Sequence, residues 1–328
     1  MKITQSAFVF GIVIGITLPI ARPNAAAAVQ LKPASARQAG SENAKPKDPE
    51  PVTYEVLRGK AKALILQSRS PANVPQKDDL LKQARAQLAE ARGLLQADHD
   101  RHRKSYEAFD KFIDKSDKAR YDARELAYRE YIQAQLLLAV LTYDEAQTYD
   151  KGSAENKRLL TAAADAFEKI HARYRQMVAG LYARMWQGKC FEEQEDIVKA
   201  LGIYNELLQH EGNSSPVLKT LQDQVRLFRL ICLNHVERQD FRLVIDAAGE
   251  WLEANAELAS SRTGLGIQWE LVRALESQAK QERTSPTERR ALRMQALEVA
   301  RSINQFPGEY KDVSAAAIER LTDDLKQE

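Results

Sequence analysis

Residues 181–214 read LYARMWQGKCFEEQEDIVKALGIYNELLQHEGNS. Apolar residues recur at spacings of three and four on both sides of the acidic run FEEQED. That pattern predicts two short amphipathic helices joined by a tight turn. Gly188, Ala200 and Tyr204 fall where the two helices must approach closely. Small side chains permit the approach, and an aromatic ring fills the space left beside them. EGNSSP, residues 211–216, closes the pair with strong turn chemistry.

The rest of the chain reads the same way. Of 328 residues, 44% are hydrophobic, enough for a sizeable core. There are only 14 Gly and 11 Pro, and six of the prolines precede Val52. The remainder is rich in Ala, Leu, Glu, Gln, Lys and Arg, which lose little rotamer freedom in a helix. No alternating run of β-branched residues with hairpin turns is present, so the expected fold class is all-α.

Residues 1–28 have the form of a secretory signal peptide, with Lys2, an apolar run from Ala7 to Ile20 and A-x-A sites at residues 25–28. An uncleaved membrane anchor is the alternative. Without this segment, which carries Lys2 and Arg22, the chain has 46 basic and 46 acidic residues. That balance argues against nucleic acid as a partner. Residues 29–52, ending in KPKDPEPV, lack apolar periodicity and are expected to be a Pro-, Ala- and Lys-rich tether. An N-terminal helical region over 53–150 should follow. From residue 78, Leu81, Ala84, Leu88, Ala91 and Leu95 form an apolar seam that continues past a polar step at Asp98 and His102 to Tyr106, Phe109 and Ile113. A turn at 116–118 and a second long helix over 120–149 complete a long antiparallel hairpin. Helix pairs then fill 151–328, with Ser285 and Glu288 spaced as a capping box. A polar closing helix, its open face carrying Glu319, Arg320 and Asp324, ends the array.

Gly188, Phe191, Ala200 and Tyr204 stand where a tetratricopeptide repeat has its small and aromatic residues. The stretch therefore resembles that family. Arg184, Gln187, Leu207 and Gly212 depart from its pattern. A weaker copy spans 225–258: QDFRLVIDAAGEWL, 239–252, aligns with EDIVKALGIYNELL, 195–208, matching Asp240 to Asp196 and Val244 to Ala200. A half-copy, AADAFEKI at 163–170, aligns Ala163 and Phe167 with Ala200 and Tyr204. The copies are offset by 37 and 44 residues, longer than the ~34 of this repeat. The resemblance implies an α-α superhelix; a generic helical superhelix without true repeats is the alternative.

It also implies an inner groove that binds peptides or proteins. Carried over residue by residue, the groove would be lined by Tyr182, Met185, Lys189, Glu192 and Glu193 in the first copy. In the second it would be lined by Arg226, Arg229, Leu233, Val236 and Glu237. Arg226 and Arg229 could grip a carboxylate with paired hydrogen bonds. The same charges also fit an ordinary solvated helix face. DHDRHRK, 98–104, has two imidazoles one turn apart but no defined ligand set, so no metal is expected. Cys190 and Cys232 read as buried thiols, with a disulfide as the alternative in an oxidising compartment. No phosphate loop, dinucleotide fingerprint, H-E-x-x-H, G-x-S-x-G or C-x-x-C occurs, and no cofactor is implied.

These readings converge on an exported, non-catalytic scaffold of the cell envelope, periplasmic or extracellular, that binds protein or peptide partners. A self-associating structural protein built on the long hairpin is the second reading. A glycan-active enzyme on a helical scaffold is a distant third.

Overall fold

The computed structural model describes residues 52–114, 116–209 and 215–327. The expected signal peptide, nearly all of the tether and the turn at 210–214 lie outside the described residues. The described residues are all-α, with eleven α-helices and no strand. No helix among them is long and apolar enough to cross a membrane.

The described residues divide into two compact units, with the split between Leu94 and Leu95. The division falls inside one helix. In the first unit, α1 (Tyr54–Ser68) is capped by Thr53 and buries Leu57, Ala61 and Ile65. A 3₁₀ turn over Pro71–Gln76 follows. It leads into α2 (Lys77–Glu107), whose Leu81, Ala84, Leu88 and Ala91 are buried at helical spacing.

The second unit takes up the C-terminal part of α2 and continues through α3 (Lys118–Ala146), α4 (Ala154–Tyr174), α5 (Val178–Glu193), α6 (Ile197–Leu208) and α7 (Pro216–Leu233). It closes with α8 (Phe241–Ala254), α9 (Arg262–Ala279), α10 (Pro286–Asn304) and α11 (Lys311–Gln327). The end of α2 runs antiparallel to α3. Asp110 meets Arg120 at 2.6 Å, Tyr106 stacks on Tyr128 at 4.6 Å, and His102 meets Glu130 at 3.0 Å. The polar step is thus an inter-helix contact, and α2 passes through it unbroken.

The long helix stops earlier than its apolar spacing predicts. Glu107 ends α2, and Phe109, Phe112 and Ile113 lie in an irregular connection, Phe112 being 94% exposed. Asp114 accepts from the Ser116 backbone N–H and hydroxyl, and Asp117 caps α3 through the Arg120 N–H. Such local side-chain bonds compete with helix continuation.

From α3 onward each helix packs on the next, and α3 also touches α5, α5 touches α7, and α7 touches α9. The even-numbered helices lack comparable next-but-one contacts among the described residues. Helices α3, α5, α7 and α9 therefore form one continuous layer of an α-α superhelix and the even helices between them the other. Capping follows the sequence: Asp196 accepts from the Lys199 N–H and Ser285 from the Glu288 N–H. The residue before each of the two aligned aspartates is left-handed, Glu195 at φ 66° and Gln239 at φ 54°. Gly188 lies against Tyr204, where an added Cβ would stand 2.6 Å from the ring. Ala163, Phe167, Ala200 and Val244 are buried, Phe191 is partly covered, and Asp240 is the N-cap residue of α8. The closing helix is more tightly held than its polar sequence suggests. Arg320 pairs with the buried Glu276 of α9 through two hydrogen bonds, at 3.0 and 2.9 Å.

Candidate functional site

The residues expected along one groove divide into two sets. Lys189, Glu192 and Glu193 are buried, as are Met185 and Leu233, and Tyr182 is partly covered. Val236 and Glu237 are exposed in the turn after α7. Arg226 and Arg229 line an open cleft.

The buried set is an ionic core. Lys189, 4% exposed, pairs with Glu192 one turn along α5 and with Glu193 at 3.1 Å. The Tyr204 hydroxyl of α6 donates to Glu192 Oε2 at 2.9 Å, and the Tyr143 hydroxyl of α3 donates to Glu193 Oε1 at 3.2 Å. Lys189 Nζ also lies 5.1 Å from the centre of the Phe228 ring of α7. Four helices thus close over charges that would be solvated on an open groove. Burial alone would depress the Lys189 ammonium, but the two carboxylates outweigh it and hold it above the usual lysine value. Burial pushes Glu192 up against the pull of Lys189, because two carboxylates share one cation. Burial likewise raises Cys190 and Cys232, both of which are unbridged.

A raised Glu192 means that ionising this carboxyl costs more in the folded than in the unfolded chain. Its contribution to stability is then largest when it is protonated and falls as pH rises through the folded value. The midpoint difference between wild type and Glu192→Gln, followed by thermal melts between about pH 5 and pH 8, should therefore move against wild type as pH rises. A difference that stays flat, or moves the other way, contradicts this assignment.

The second set lies at an open cleft of about 500 Å³ between α7 and α8, reached also by the ends of α6 and α9. Pro216 opens α7, and helical spacing then sets Lys219, Gln222, Asp223, Arg226 and Arg229 toward one side. Asp223, only 6% exposed, organises the wall. It accepts from Trp251 Nε1 of α8 at 2.8 Å and from Arg226 at 3.0 Å. The indole and the guanidinium are thereby fixed relative to one another. Arg229 donates from Nε to the Asn205 amide oxygen of α6 at 2.8 Å, and no carboxylate pairs with it among the described residues. Partial burial lowers its pKa below the usual arginine value. Three cations and two carboxylates, Asp223 and Glu250, line the cleft, leaving a positive excess beside an aromatic wall. Such a surface can take a carboxylate on the guanidiniums and an apolar group against Trp251.

Asp223, Trp251, Asn205 and Lys219 were not among the expected groove residues. The Asp223–Arg226 spacing of one helical turn is visible in the chain, but the link to Trp251, 28 residues away, exists only in the packed pair. Elsewhere, His99 tilts against the Tyr131 ring at 5.2 Å, and no group of three or more His, Cys, Asp or Glu is arranged to hold a metal among the described residues. No family model, curated protein or solved structure matches the chain.

Proposed function

We propose that the protein is an exported, non-catalytic scaffold that docks a peptide or protein partner, as a tetratricopeptide-like array does. The observation that carries this reading is the α7–α8 cleft. It offers an under-compensated Arg229, a braced Arg226 and an indole wall on one open surface. Its excess of positive charge suits an acidic segment with an adjacent apolar side chain. The docking surface is therefore assigned to this cleft rather than to the inner face of α5.

Arg226→Glu/Arg229→Glu is expected to weaken partner capture at least about tenfold in crosslinking pull-downs from intact cells, read by quantitative mass spectrometry. Arg229→Ala leaves the Asp223–Arg226 pair intact and should weaken capture by a smaller factor without loss of helicity. Unchanged capture by both variants would remove the cleft as the docking surface.

A further inference from the structure

We propose that the α7–α8 cleft reads its partner's main chain as well as its charge. The docked segment is extended, gives a backbone N–H to Asp223 Oδ2 and sets a side-chain carboxylate on Arg229. This deepens the docking reading above and rests on it. The observation behind it is how the Asp223 carboxylate is used. Trp251 Nε1 and Arg226 Nη1 both donate to one of its oxygens, Oδ1, at 2.8 and 3.0 Å. Oδ2 bonds to no described residue, although Asp223 is enclosed and lines the cleft. An enclosed carboxylate is stabilised when each of its oxygens has a donor. The cleft is the side left open to supply the second one.

Charge decides the kind of donor. Lys219, Arg226 and Arg229 outnumber Asp223 and Glu250 by one, so the cleft balances a ligand with a single negative charge. An ammonium on Asp223 beside one carboxylate would leave that excess uncancelled. A neutral N–H beside one carboxylate cancels it. A backbone amide next to an acidic side chain supplies those two groups together.

Helical spacing decides the form of the segment. From Lys219 to Arg229, α7 rises about 15 Å, the reach of about five extended residues at ~3.3 Å each. A bound helix following the same row would be about 10–12 Å across, too bulky for a cleft of about 500 Å³. Its interior N–H groups would also be held by its own carbonyls. Asp223 lies within the row, so it meets the middle of the segment.

The probe is acetyl-Ala-Leu-Glu-Leu-Ala-amide, titrated calorimetrically into the full chain. Replacing one central amide N–H by an ester oxygen should weaken binding at least about tenfold, and replacement at the ends should not. In Asp223→Asn, whose side-chain oxygen can still accept from Trp251, the parent peptide should bind at least about tenfold more weakly, and the sensitive ester should cost nothing further. Suppose the parent binds and is lost in Arg226→Glu/Arg229→Glu. Indifference to every ester, an ester penalty that persists in Asp223→Asn, or tighter binding of a stapled helical form of the peptide would then overturn the main-chain reading and leave the cleft as the docking surface. A parent that fails to bind the wild-type chain, or whose binding survives the charge reversal, would overturn both.

Discussion

Replacing Lys189 by methionine is expected to remove about 3–5 kcal/mol from the stability of the superhelix. Methionine has nearly the right length and shape, so the loss comes from charge rather than volume. Without the ammonium, Glu192 and Glu193 stand side by side, each less than a tenth exposed, with the Tyr204 and Tyr143 hydroxyls donating to them but no Lys189 charge to balance theirs. An unpaired buried carboxylate either stays ionised at a heavy solvation cost or takes up a proton. Lys189→Met should therefore be most damaging at neutral and higher pH, and partly rescued by acid. Lys189→Met/Glu192→Gln/Glu193→Gln removes the stranded charges and should recover most of the loss. Urea unfolding followed by circular dichroism gives both values. A loss under about 1 kcal/mol in Lys189→Met would mean that water reaches the triad.

Gly180→Ala is expected to cost about 3 kcal/mol or more, although alanine is the better helix former. An added Cβ at this position would stand 2.1 Å from the Tyr174 carbonyl oxygen. That atom belongs to the backbone, so no rotamer change relieves the overlap. The connection from α4 to α5 must move, and with it the hydrogen bond between the His171 ring and the Gly180 carbonyl oxygen, 3.0 Å long. Gly264 repeats the arrangement at the start of α9, 2.2 Å from the Leu258 carbonyl oxygen, and should respond equally. Gly202 on α6 is the control. Nothing lies within 4 Å of its Cβ position, and Gly202→Ala should stabilise by roughly 1 kcal/mol. Thermal melts that rank Gly180→Ala at or above wild type would show that the tight connection yields freely.

Helix identity was legible in the sequence because periodicity and caps are local. Asp196 and Ser285 cap the helices they precede, and Gly188 meets Tyr204 across the pair that the chain spacing suggests. The end of α2 was not legible, because Phe109 and Ile113 keep the apolar spacing while Asp114 diverts the backbone into a turn. Lys189, Glu192 and Glu193 read as a wet surface because charged residues are seldom enclosed. Their partners sit on other helices, Tyr143 fifty positions away from Glu193. Of the ten residues singled out for the groove, Arg226 and Arg229 line the cleft, since helix packing decides which turn of α7 faces α8.

Glu195 and Gln239 turn the chain left-handed at positions 44 residues apart, each directly before an aspartate that opens a helix. The backbone thus enters α6 and α8 through the same doorway, whatever the differing lengths of the turns behind it. A segment cut at one of these doorways and rejoined at the other keeps a left-handed residue followed by an N-cap aspartate at the joint. Copying or deleting residues 195–238, one helical hairpin, would therefore preserve the local backbone at the joint.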